Sequence, residues 1–195
     1  MTLKFLNSAY GSQKIDSNNI ITLAAKEKTD FFVGYNENTN EIERRRNAPF
    51  LFQDITGNFV ATVKVSVDFK YTYDSGVLMV MDNENLWSKL CFEETDFGTL
   101  AIVSVVTERF SDDANGVNIE NNFVYLKAVR VGNNLSFHYS LDGKLYNMVR
   151  FFNMPFAETI HVGLVTQSPY GKGTTATFED FSIENITVSN IRQGQ

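Results

Sequence analysis

The stretch from Phe59 to Phe69 limits the possible folds more than any other part of the chain. Phe59, Ala61, Val63, Val65, Val67 and Phe69 alternate with Val60, Thr62, Lys64, Ser66 and Asp68. Alternation of period two places the two sets on opposite faces of a strand, one apolar and one mostly polar. Slipping the register by one residue would turn the whole apolar face outward, so the register is firmly specified. A strand with one dry face needs a second layer to cover it.

The rest of the chain repeats the theme in shorter form. Alternating runs are separated by turn residues, only three prolines occur, and no segment carries a helical stripe a dozen residues long. Besides 59–69, strands are expected over 19–25, 30–35, 48–54, 77–81, 86–93, 99–107, 123–131, 135–140, 144–152, 160–167 and within 174–188. About twelve strands in an all-β chain favour two stacked antiparallel sheets. Val77 to Met81 is apolar on both faces, so it is expected at the centre of a sheet, with a loop or a partner covering its second side. Asp142-Gly143 lies between alternating runs and marks a hairpin, because Gly accepts positive φ without steric cost. Segments 36–47 and 108–122 are polar and read as loops; one as long as the second is usually functional or mobile. Residues 1–17 read as an edge strand or arm. No linker composition or internal repeat divides the chain, so 1–195 is expected to be one domain.

Composition narrows the function classes. A chain of 195 residues can bury roughly 70% of its unfolded surface and needs no disulfide or metal staple. Its one cysteine, Cys91, cannot form an internal bridge, which suits a reducing compartment. The N-terminus lacks an apolar signal core and no run approaches a membrane span, so a cytoplasmic protein is expected. The net charge of −6 argues against nucleic acid, which demands a basic surface. The one basic run, Arg44-Arg45-Arg46, follows Glu41 and Glu43 and reads as a solvated loop, with a local anion or partner contact as the alternative. Asp82-Asn83-Glu84-Asn85 lacks the spacing of a calcium loop.

Several segments together resemble a known family. They are Thr29-Asp30-Phe31-Phe32, Ala48-Pro49, Gly57-Asn58-Phe59, Gly76-Val77-Leu78-Met79, Trp87-Ser88-Lys89 with Glu93, and Val129-Arg130-Val131-Gly132. Tyr139-Ser140-Leu141-Asp142-Gly143 with Val149-Arg150, Val162-Gly163, Ser168-Pro169 and Phe178 with Asp180 complete the set. In order and spacing, from about residue 18 to 185, these resemble the bacterial and fungal proteins known as "regulation of enolase protein". The resemblance implies a concanavalin-A-like jelly-roll sandwich, cytoplasmic, without established catalysis, and with a regulatory role in carbohydrate metabolism. The chain departs from the family where Phe32 and Tyr146 stand in place of tryptophan. A sugar stacked at Phe32 would lose ring area and an N–H donor.

Candidate sites follow from alternation and chemistry. Trp87, Lys89, Cys91 and Glu93 share one face of a strand, about 7 Å apart in steps of two. Arg130 and Arg150, on other strands, are within conceivable reach of Glu93 for a charge-assisted pair. His138 alternates away from its strand's apolar side, towards solvent or a groove. Two readings remain for this face: an ion-pair network inside the sheet, or a groove in which Trp87 stacks a sugar and Lys89, Glu93, Arg130, His138 and Arg150 supply its polar rim. The Glu-x-Asp-x-x-Glu strand of concanavalin-A-like glucanases is absent, and hydrolysis needs such a carboxylate pair set across the bond. A glycan-active enzyme would have to use Glu93 with Asp74 or Asp30. Only His138 and His161 are available as histidines, each alone, so no catalytic triad, metal site or cofactor is expected. The expected partners are a protein or a carbohydrate, with the chain a monomer or weak homodimer.

Overall fold

The computed structural model describes residues 3–195. The alternating stretch becomes β7 (Phe59–Val67), with Phe59, Ala61, Val63 and Val65 buried and the intervening residues partly exposed. Phe69 lies just past the strand and meets Phe92 edge-on at 5.0 Å.

Two antiparallel seven-stranded sheets stack as a jelly-roll sandwich. The first runs β1 (Lys4–Leu6), β6 (Phe50–Thr56), β15 (Thr159–Gln167), β8 (Ser75–Asn83), β9 (Leu86–Glu94), β10 (Leu100–Glu108), β11 (Phe110–Asn118). The second runs β14 (Asn147–Asn153), β13 (Asn134–Ser140), β12 (Phe123–Val131), β7, β16 (Gly173–Glu184), β3 (Ile21–Lys26), β2 (Gly11–Ile15). A separate hairpin pairs β4 (Phe31–Tyr35) with β5 (Ile42–Arg46). No helix among the described residues is long and apolar enough to cross a membrane.

The main core lies between the sheets. Leu78, Val80, Leu90, Phe92, Ile102, Val162 and Leu164 of the first sheet meet β7 residues with Leu126, Ala128, Leu135, Phe137 and Phe178 of the second. Full burial of each larger side chain contributes roughly 1.5–3 kcal/mol. A second, smaller cluster lies on the other face of the first sheet. It holds Val77, Met79, Met81, Trp87, Cys91, Val103 and Val105 under Phe31, Ala48 and Phe50. The two-sided apolar run of β8 is thereby explained: the strand is fourth of seven, and Phe31 of the β4–β5 hairpin with Ala48 just after it supplies the second cover.

The described residues form sixteen strands, four more than expected, and the extra ones lie where the sequence read as loop or arm. Within 1–17, β1 and β2 flank a 3-10 turn at Ser8–Tyr10, while residues 1 and 2 fall outside the described part. Segment 36–47 contains β5, and segment 108–122 is mostly β11, an edge strand pairing with β10 from Glu108↔Phe110 to Ala101↔Asn118. Such strands escape a hydrophobic reading because an edge strand has two wet faces and is kept from aggregating by charge. The Asp142-Gly143 turn is as expected, with Gly143 at φ 72°. Asp142 Oδ1 accepts from the Lys144 and Leu145 amides at 2.8 and 2.9 Å.

Candidate functional site

β9 carries the alternating face that the sequence singled out. Its neighbours in register are β8 and β10, which set Met79 and Val105 beside Lys89, and Ser75 and Ala101 beside Glu93. The face points away from the intersheet core, towards the hairpin. A cavity of about 330 Å³ opens there, between the first sheet and β4–β5. Lys89, Glu93 and Gln167 lie at its floor with Asp30, Val103 and Val105, while Tyr73, Tyr170, Phe32, Tyr35, Arg45 and Asp113 form its sides.

The floor is held by a buried ion pair. Lys89, 2% exposed, sends its ammonium to Asp30 Oδ1 at 3.3 Å and Gln167 Oε1 at 3.1 Å. Burial acts to lower the lysine, but Asp30 foremost, with Cys91 and Glu93, outweighs it, so the ammonium stays charged. Asp30 is fixed through its backbone: its amide donates to Asn47 Oδ1 and its carbonyl accepts from the Asn47 amide, each at 3.0 Å. Its second oxygen lies 4.0 Å from Arg45 Nη1. Arg45 also pairs with Glu43 at 2.9 Å, and Glu43 accepts from Asn36 at 2.5 Å.

Glu93 is 7% exposed and has neither a hydrogen bond nor an ion pair through its side chain among the described residues. Burial pushes its carboxyl up to about 8; Lys89 opposes this, and Asp30 and Asp113 reinforce it. Ser75 Oγ, on the paired strand, lowers it slightly as a hydrogen-bonding hydroxyl, but sits too loosely to make a well-formed bond. The cavity therefore contains a carboxyl that is mostly protonated at neutral pH. Burial also pushes the Cys91 thiol far up, which leaves it an inert core group.

The other expected site residues are elsewhere. Trp87 does share the Lys89 face, but it is 0% exposed. Phe31 covers it edge-on at 5.9 Å, and Lys89 Nζ sits 6.0 Å from its ring. It stacks no ligand: the expected aromatic platform is core, and its indole N–H has no partner. Arg130 belongs to the second sheet, where it donates to the carbonyls of Gly132, Ala157 and Glu158 at 2.8, 2.8 and 3.3 Å. It anchors a loop and does not reach Glu93. Arg150 bridges the sheets by donating to Asp112 Oδ1 at 2.8 Å, also without reaching Glu93.

His138 is fully buried rather than solvent-facing. Ser136 Oγ donates to the Ile191 carbonyl at 2.8 Å, so it accepts from His138 Nε2–H, also at 2.8 Å. Burial, then Lys127, pushes this imidazole down to about 4, and it stays neutral. The C-terminal residues that cover it gave no alternating signal. Asp74 is structural too: it accepts from Ser168 Oγ and from the Lys70 and Tyr71 amides.

Sequence reasoning missed Gln167, Tyr73, Tyr170, Glu43 and Asp113, and read Arg45 mainly as solvated. Alternation within β15 was the available signal for Gln167; Asp113 stands on the polar strand β11, which carries no such signal, and only the register brings it to the cavity. Phe32, flagged as a departure from the family, does line the cavity. Tyr146, the other departure, lies just before β14, under Lys127 Nζ at 3.7 Å from its ring centre. No group of three or more His, Cys, Asp or Glu side chains among the described residues is placed to hold a metal.

Residues 9–186 match a family described as "Protein of unknown function (DUF1349)". A comparison with curated proteins finds no match. Among solved structures, a functionally unknown protein from Saccharomyces cerevisiae is 26% identical over 95% of this chain and 97% of its own, with a TM-score of 0.85. The GH43 protein BlXynB from Bacillus licheniformis is similar over 86% of this chain but only 33% of its own length, at 17% identity and a TM-score of 0.65. The alginate lyase from Klebsiella pneumoniae is similar over 89% and 84%, at 11% identity and a TM-score of 0.58. At such identities the likeness to the latter two is one of fold.

Proposed function

The chain belongs to the DUF1349 family, and on that premise we propose that it is a non-catalytic, single-domain cytoplasmic protein whose pocket binds one sugar-sized polyhydroxylated ligand. The observation that carries this reading is the floor of the cavity. A charged lysine, a carboxylate and an amide are locked together under an opening walled by aromatic rings. Hydroxyl groups need donors and acceptors whose positions are already fixed, because ordering them on binding would cost affinity. Tyr73 and Tyr170, 5.3 Å apart and edge-to-face, offer ring faces for the apolar side of a pyranose. A volume near 330 Å³ is at the small end of the ~300–1,000 Å³ range of ligand pockets, which suits a single ring rather than a polymer.

Calorimetric titration with a panel of mono- and disaccharides tests the reading. At least one monosaccharide should bind, and Tyr170→Ala, at an exposed side chain, should weaken it about tenfold, near 1.4 kcal/mol, with unchanged unfolding temperature. If the entire panel fails to bind at millimolar concentration, the sugar reading is wrong.

A second reading is favoured by one surface feature. Tyr35, 58% exposed, stacks on Phe110 at 5.2 Å beside the cavity mouth, and exposed aromatic pairs are common anchors in protein interfaces. The regulation of enolase implied by the family resemblance would use such a ridge. Immobilised enolase should then capture the chain, and Tyr35→Ser with Phe110→Ser should abolish capture. Equal capture by the double variant would discard this surface.

A further inference from the structure

We infer that the pocket ligand carries a positively charged amine, seated between Glu93 and Asp113; this rests on the binding reading above and names its ligand more closely. Five carboxyls and two cations line the cavity. Both cations are already engaged, Lys89 by Asp30 and Gln167, and Arg45 by Glu43, with Asp30 at 4.0 Å. Among the described residues, Glu37, Glu93 and Asp113 are left without an ion pair. Two of them are exposed at the rim, where water solvates them. Glu93 differs: it is almost buried, faces the cavity, has no ion pair, and has only the loosely placed Ser75 hydroxyl beside it.

An anionic ligand would enter a pocket with surplus negative charge and no free cation to meet it. A neutral sugar hydroxyl can hydrogen-bond Glu93, but it brings no charge to offset the five carboxyls around the cavity. An ammonium group satisfies the buried carboxyl with a charge-assisted hydrogen bond, the strongest kind available to it. A metal ion is a poorer fit, because no three potential ligands converge. The aromatic walls also suit a cation. The amine belongs to a polyhydroxylated molecule, since the Lys89–Asp30–Gln167 floor presents polar groups beyond what the charge needs.

Binding then carries a proton signature. The charged or titratable groups facing Glu93 are Lys89 and Cys91 on its own strand, Asp30 from the segment before β4, Asp113 on β11 and Tyr73 before β8. Burial is what chiefly keeps the free carboxyl protonated; Lys89 opposes it, and Asp30 and Asp113 add to it. An incoming ammonium lowers its pKa, the O–H bond ionises, and the proton passes to buffer.

The test is calorimetry with glucosamine, N-acetylglucosamine, glucose and glucuronate. It is run at about pH 6.5, where an amine of this kind is charged, in two buffers of different ionisation heat. Glucosamine should bind at least tenfold more tightly than glucose and N-acetylglucosamine, glucuronate should be weakest, and protons should be released with glucosamine alone. Glu93→Gln should abolish the proton release and reduce the preference to under threefold. Asp113→Asn, at an exposed edge where folding is not at stake, should reduce it severalfold. If glucose or N-acetylglucosamine binds as tightly as glucosamine, the amine inference falls and the sugar pocket stands. If none of the four binds, and the wider saccharide panel also fails, both fall together.

Discussion

Replacing Lys89 by methionine removes the charge at the pocket floor while keeping most of the side-chain volume. Its Asp30 partner is then a carboxylate with a side chain only 8% exposed, whose remaining cation is Arg45 at 4.0 Å. Breaking a buried pair by removing one partner costs about 3–5 kcal/mol, chiefly because the other charge is left uncompensated. Arg45 moderates this, so a loss of about 3 kcal/mol is expected. In a chain of this size each kcal/mol shifts the midpoint by roughly 2–4 °C, which gives a drop of roughly 6–12 °C. Asp30→Asn should cost a similar amount, since it strands a buried ammonium. The double variant strands neither charge, so it should be more stable than the sum of the two losses predicts, by about 2 kcal/mol. Urea unfolding followed by the emission of Trp87 measures all four corners of the cycle. A Lys89→Met loss below about 1 kcal/mol, or strict additivity in the cycle, would refute the claim that this pair organises the floor.

Three further outcomes follow from other buried groups. Glu93 keeps its proton in the folded protein up to about pH 8 but loses it near 4.5 when unfolded; stability should therefore fall as pH rises through that window, by at most about 1.4 kcal/mol per unit. Thermal melts of Glu93→Gln should show that slope flattened. His138 has the opposite sign: its pKa is depressed from 6.5 to about 4, so its contribution is lost as pH falls through that range, and His138→Gln should melt with less acid sensitivity between those values. Trp87→Ala should cost about 3–5 kcal/mol by leaving a cavity; the wild-type indole should resist acrylamide quenching, and strong quenching would contradict its burial.

What was legible in the sequence depended on how many dry faces a strand has. β7 has one, and its alternation gave face and register correctly. β8 has two, and its continuous apolar run gave its central place. β5 and β11 have none, and their charges made them indistinguishable from loops. The same rule hid the pocket: Arg45 and Asp113 stand on those two polar strands, while Gln167 and Glu93 stand on central ones. Alternation placed Trp87, Lys89, Cys91 and Glu93 on a common face, but it could not tell how far along that face a cover extends.

That cover decides which residues can act, and it is set by two adjacent side chains. Phe31 and Phe32 point to opposite sides of β4, as neighbours in a strand must. Phe31 is buried against Trp87 and Phe50, closing the face at the Trp87 end. Phe32 lines the cavity at the other end, with Lys89 and Glu93. The hairpin is thus both lid and wall, and its closure converts an alternating polar row into one sealed aromatic and one accessible acid. Burial is deep enough to hold a proton on Glu93 near neutral pH, yet open enough to leave it facing the cavity without an ion pair, which is the condition under which a ligand's charge has most effect on it.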